Sequence, residues 1–147
     1  MKSLVTMLAV LSAATLIASG GEQGEKAKSD HELIQGTWKV VSAQEAGKAP
    51  KIPDDLRFVI TADTLFIKPG KDDPIGMKYK LDASKKPKAM DTTHEIDPGK
   101  PISQLAIYAL DGDELKLCLE AAGKPRPTKF ESKAGETTIV WVLKRAK

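Results

Sequence analysis

The chain has 147 residues, with 23 Lys and Arg against 20 Asp and Glu and a formal net charge of +3. At about 100–200 residues per domain this is room for one domain, and 41% apolar with 29% charged residues excludes a disordered chain. A single Cys excludes an intramolecular disulfide framework and a zinc finger built on several cysteines, and two His leave little for a histidine-rich metal site.

Met1 and Lys2 form a short positive start, and Leu4 to Ala18 is then uncharged and apolar or small. That run suits the apolar region of a signal peptide and is short for a membrane span. Ala18-Ser19-Gly20 supplies the small residues of a cleavage site, so a signal peptide is expected over 1–20, with the cut before Gly21. The alternative is an uncleaved N-terminal anchor. A lipoprotein signal would place Cys where Gly20 stands, so no thiol is there for lipidation. The polar stretch 21–29 reads as a tether, and the folded domain as 30–147. The expected location is exported, periplasmic or extracellular, with no stable membrane insertion after cleavage.

Asp30 to Gln35 can make one helical turn with Asp30 as its cap, ended by Gly36. Short β-like runs follow, separated by turn signals. The first is Thr37 to Ala43, followed by a loop from Gly47 to Asp55. Leu56 to Thr61 alternates cleanly, with Leu56, Phe58 and Ile60 on one face. Ala62-Asp63 turns the chain into Thr64 to Lys68, and Pro69 to Pro74 is a loop. Ile75 to Leu81 places Ile75, Met77, Tyr79 and Leu81 on one face, the pattern of a strand buried on one side. Lys88 to His94 is a weaker strand and Ile102 to Leu110 a strong one. Asp111-Gly112 is the clearest hairpin signal, leading into Glu114 to Glu120. Gly123 to Pro127 is a stiff loop, because each Pro restricts itself and its predecessor. Thr128 to Ser132 is a short strand, and Glu136 to Lys144 closes the domain.

The chain is therefore expected to be all-β, a small antiparallel up-and-down β-barrel of about eight or nine strands. Curling into a barrel buries the apolar faces and removes exposed edges. An open two-sheet sandwich is the competing architecture.

Gly36-Thr37-Trp38 at the head of the first strand resembles the Gly-x-Trp opening of lipocalin-like barrels. The resemblance implies that Trp38 plugs one end and packs against a basic residue from the last strand, Arg145 or alternatively Lys144. A guanidinium over an indole is a favourable cation–π contact. The chain also resembles an uncharacterised lipocalin-like domain family of secreted planctomycete proteins, from Leu33 to Arg145. The matching blocks are Leu33 to Ser42, Leu81 to Asp91, Ile107 to Cys118, and Arg126-Pro127-Thr128 with Phe130. That resemblance implies a small β-barrel in the cell envelope; it does not imply a reaction.

Several residues invite chemistry. Cys118 lies opposite in phase to Leu115, Leu117 and Leu119, and reads as a packed thiol rather than a nucleophile. Asp91 and His94, with Glu95 and Asp97 close by, form a polar cluster that could serve as an acid–base pair or a partial metal site, but positions 91 and 94 of a strand point apart unless a bend intervenes. Asp54-Asp55 and Asp72-Asp73 lack the alternating spacing of a calcium loop. Lys78, Lys80, Lys85, Lys86 and Lys88 make a basic stretch without interleaved aromatics, which argues against nucleic acid. Arg126, held by Pro125 and Pro127, is placed to bind a carboxylate or phosphate over a barrel mouth, or to pair with a nearby acid.

The function expected first is non-catalytic: an exported barrel holding a small apolar or amphipathic ligand. Phe58, Ile60, Met77, Tyr79, Tyr108 and Leu117 would line it, with Arg126 at the mouth and Gly36, Trp38 and Arg145 closing the barrel. The second expectation is a structural or protein-interaction domain with a filled core and no ligand. No cofactor, metal or nucleic-acid partner is expected in either case.

Overall fold

A computed structural model describes residues 28–147, so the expected signal peptide and the tether up to residue 27 lie outside the described residues. One helical turn, α1 (Asp30–Leu33), precedes eight strands: β1 (Gly36–Glu45), β2 (Leu56–Ile60), β3 (Thr64–Pro69), β4 (Ile75–Asp82), β5 (Lys88–Asp97), β6 (Lys100–Asp111), β7 (Glu114–Leu119) and β8 (Ile139–Arg145). Each pairs antiparallel with the next and β8 pairs with β1, which closes an up-and-down barrel. Closure gives every one of these strands a neighbour on both sides, and this is the architecture that short alternating runs joined by hairpin-length turns require.

Alternation along the strands divides the side chains between two clusters. Trp38, Phe58, Ile60, Leu65, Met77, Tyr79, Met90, Tyr108, Leu115, Leu117 and Leu143 are buried together inside. A smaller outer cluster joins Ile107, Cys118 and Val140, with Phe130 packed on it. The phase of β1 changes at a bulge between Val40 and Ser42. The extra residue, Val41, is half exposed, and Ala43 returns to a buried position opposite Trp141. The Val40-Val41 pair breaks the expected alternation for this reason.

Four expectations need correction. The cap of α1 is Ser29, one residue before Asp30: its side chain accepts from Glu32 N, and Glu32 reaches back to Ser29 N, a capping box. Thr128 to Ser132 forms no strand. Eight strands already satisfy one another around the barrel, and Phe130 instead anchors the β7–β8 connection to the outer wall. The last strand starts at Ile139 rather than Glu136, because Thr137 and Thr138 give their hydroxyls to the Glu120 carboxylate. Ile75 is 51% exposed rather than buried. The β4–β5 ladder stops at Lys78 and Thr93, so the start of β4 and the end of β5 overhang the rim.

Candidate functional site

α1 closes the barrel end where β1 starts and β8 finishes. Trp38 is fully buried there, and its Nε1 donates to Ile34 O at 2.8 Å. The Arg145 guanidinium lies 4.2 Å from the centre of the Trp38 ring. Its Nη2 donates to Leu33 O (2.6 Å) and its Nη1 to Gln35 O (2.9 Å). Three successive carbonyls after the short helix are thus satisfied by Trp38 and Arg145, where a cation is favoured. Gly36 makes this approach possible: its φ is +126°, and a Cβ there would stand 3.0 Å from Arg145 Nη1. Asp113 completes the closure, 3.3 Å from Arg145 Nε. It is free to do so because the β6–β7 turn centres on Gly112 and Asp113, one residue later than expected, with Gly112 at φ +56°.

Next to this closure, Asp30 Oδ2 accepts from Lys88 Nζ (2.6 Å) and from Tyr108 Oη (2.9 Å). Burial pushes the Asp30 carboxyl up, but these two hydrogen bonds and the Lys88 charge outweigh it and hold it below the usual carboxylate range. Burial, and then the bond to Asp30, pushes the Tyr108 phenol well above its ordinary value. Tyr79 Oη donates to Thr61 O at 2.5 Å, and His31 Nε2 donates to Ala62 O at 2.5 Å. Both tyrosine hydroxyls are therefore committed at the α1 end. Sequence reading missed the Asp30–Lys88–Tyr108 network, because three strongly separated positions carry no local signal.

The six expected interior residues come together. Phe58, Ile60, Met77, Tyr79, Tyr108 and Leu117 are at most 6% exposed and belong to one packed cluster. Clefts of about 310–490 Å³ lie on the surface, and none has Phe58, Ile60, Met77 or Leu117 in its lining.

Arg126 does not stand over a mouth. Its Nη1 donates to Ala106 O (2.8 Å) and Met90 O (3.3 Å), and its Nη2 to Asp91 Oδ1 (2.5 Å). Asp91 is exposed between buried Met90 and Thr92, so the guanidinium lies on the outer wall of β5 and β6. The stiff loop holds Arg126 as a rivet for the β7–β8 connection. Asp91 is consumed in that rivet, and His94 shares the inward face of Met90 and Thr92, so the two are not an acid–base pair.

Beneath the same connection, Cys118 is fully buried and donates to Lys129 O at 3.4 Å. Burial pushes its thiol up to about 11, the reverse of what a nucleophile needs. Among the described residues no group of three or more His, Cys, Asp or Glu could hold a metal ion, and neither acidic pair builds such a site.

Of the basic stretch, Lys78 pairs with Asp63 (3.0 Å) and Lys88 with Asp30. Lys80, Lys85 and Lys86 have no carboxylate within 4.0 Å among the described residues. Lys85 and Lys86 edge a cleft of about 310 Å³ between the β4–β5 hairpin and β6. Ala109 and Phe130 line it, and Tyr108 and Leu110, packed with the interior cluster, border it.

Comparison of the chain with protein-family models, with curated proteins and with solved structures returned no match.

Proposed function

We propose that this protein is an exported, lipocalin-like, non-catalytic barrel with a filled core, acting through its outer surface as an interaction or binding domain. The observation that carries this reading is the fate of the interior candidates. They pack against one another, their only two hydroxyls are bonded at the α1 end, and the clefts open outside. The residues with reactive side chains are engaged in holding the fold: Arg126 with Asp91, and Cys118 beneath Phe130.

The test is native mass spectrometry of the exported protein, purified without detergent. A filled barrel runs at the mass of its bare chain. A discrete added mass, lost on denaturation and traced to the interior by chemical shifts at Phe58, Met77 and Leu117, would overturn the reading.

One observation favours the other reading, a barrel that holds a small ligand inside. Among the described residues His94 Nδ1 is buried without a hydrogen-bond partner, near the end away from α1, just beyond the last rung of the β4–β5 ladder. An orphaned ring nitrogen is costly when buried and is relieved by a polar ligand.

A further inference from the structure

We infer that the cleft between the β4–β5 hairpin and β6 is a binding site for a small anionic amphiphile, a single apolar chain ending in a carboxylate. This rests on the reading of the barrel as one that works through its outer surface. The floor supplies the apolar half of the argument. Ala109, Phe130 and Pro87 supply the apolar lining, and Tyr108 and Leu110, whose side chains pack with the interior cluster, border it. A volume of about 310 Å³ is at the small end for ligand clefts, which run from about 300 Å³ upward. It suits one short chain.

The rim supplies the charge. Lys85 and Lys86 are exposed and, among the described residues, carry no carboxylate partner within 4.0 Å, whereas Lys88 is held by Asp30. The acid of the same hairpin, Asp82, is turned into its own turn: it accepts from Ser84 N (3.0 Å) and Ser84 Oγ (2.5 Å). Two ammonium groups at the edge of an apolar floor complement a carboxylate head and repel a cationic one. A peptide is the poorer fit: strand addition needs an extended open edge, and beside this cleft only the last three residues of β6 run beyond the β5–β6 ladder, which starts at Lys88 and Tyr108.

The experiment is titration of the 15N-labelled protein with sodium dodecanoate, followed by backbone amide shifts, with dodecyltrimethylammonium as the cationic control. The expected shifts fall at Ala83 to Lys86, Lys88, and Tyr108 to Leu110, and the cationic control leaves these amides unmoved. The double variant Lys85→Glu/Lys86→Glu should weaken binding about tenfold or more. Ala109→Trp should abolish it by filling the cleft from the outer face. Each variant's own amide spectrum reports whether it is folded. Absence of shifts at millimolar dodecanoate overturns the inference and leaves the filled-barrel reading standing. Equal shifts with the cationic control also overturn it. Shifts at Phe58, Met77 and Leu117 instead overturn both this inference and the reading beneath it.

Discussion

Arg145→Ala removes the strap that ties the last strand to α1 and to the plug. The guanidinium makes two charge-assisted hydrogen bonds, to Leu33 O and Gln35 O, and covers the Trp38 ring at 4.2 Å. Hydrogen bonds to charged groups contribute about 1.5–3 kcal/mol each, and a cation–π contact about 0.5–2 kcal/mol. These do not add, because they share one side chain, and Arg145 is 31% exposed, so solvent screens part of each. The expected cost is about 2–4 kcal/mol. For a domain of this size each kcal/mol moves Tm by about 3–6 °C, so the melting point should fall by about 6–24 °C. Thermal and urea unfolding, followed through tryptophan emission, measure it. Arg145→Lys keeps a cation near Trp38 but loses the planar fork that serves two carbonyls, and should recover less than about half of the loss. An alanine variant that melts within about 2 °C of the parent would refute the idea that this strap closes the barrel.

Other outcomes follow from the same contacts. Asp30 has a carboxyl held below its unfolded value, so its contribution is present above that value and is lost as pH falls through the folded one. The parent should therefore lose stability more steeply below about pH 4 than Asp30→Asn does, and parallel urea midpoints against pH would sink the argument. In the native protein Cys118 should resist iodoacetamide at pH 8, since its thiol sits up at about 11 beneath Phe130. Arg126→Ala unpins the covering connection and should raise that alkylation rate while costing about 1–3 kcal/mol; an unchanged rate would mean that Arg126 is not the rivet. Phe58→Ala and Leu117→Ala should cost about 3–5 and 2–5 kcal/mol by urea unfolding, as expected of a packed interior. Costs below about 1 kcal/mol would point to space already present there.

The strands were legible wherever one face is buried and the other wet. Leu56, Phe58 and Ile60 on β2, and Leu115 and Leu117 on β7, show a period of two that survives folding unchanged. Reading failed where a neighbour, rather than the local pattern, decides. Val41 breaks the phase of β1 because β1 bulges there, setting one more residue than β8 between the Val40–Leu143 and Ser42–Val142 pairs. Phe130 and its flanks have strand-like composition, yet the closed barrel leaves them no partner. The opposed phases of Asp91 and His94 were readable from spacing alone, and so was the phase of Cys118 against the leucines.

Composition and alternation by themselves determined the all-β class, the antiparallel order and the inward faces of β2 and β7, because these follow from local periodicity and short turns. Only the tertiary structure decided what each polar group does. Asp30, Lys88 and Tyr108 meet across the barrel end, and Arg126 reaches the backbone of β5 and β6 from a distant loop. Among the described residues Lys85 and Lys86 stand without a carboxylate partner at the edge of an apolar cleft. Such partners are set by closure of the barrel, which brings together residues far apart in the chain.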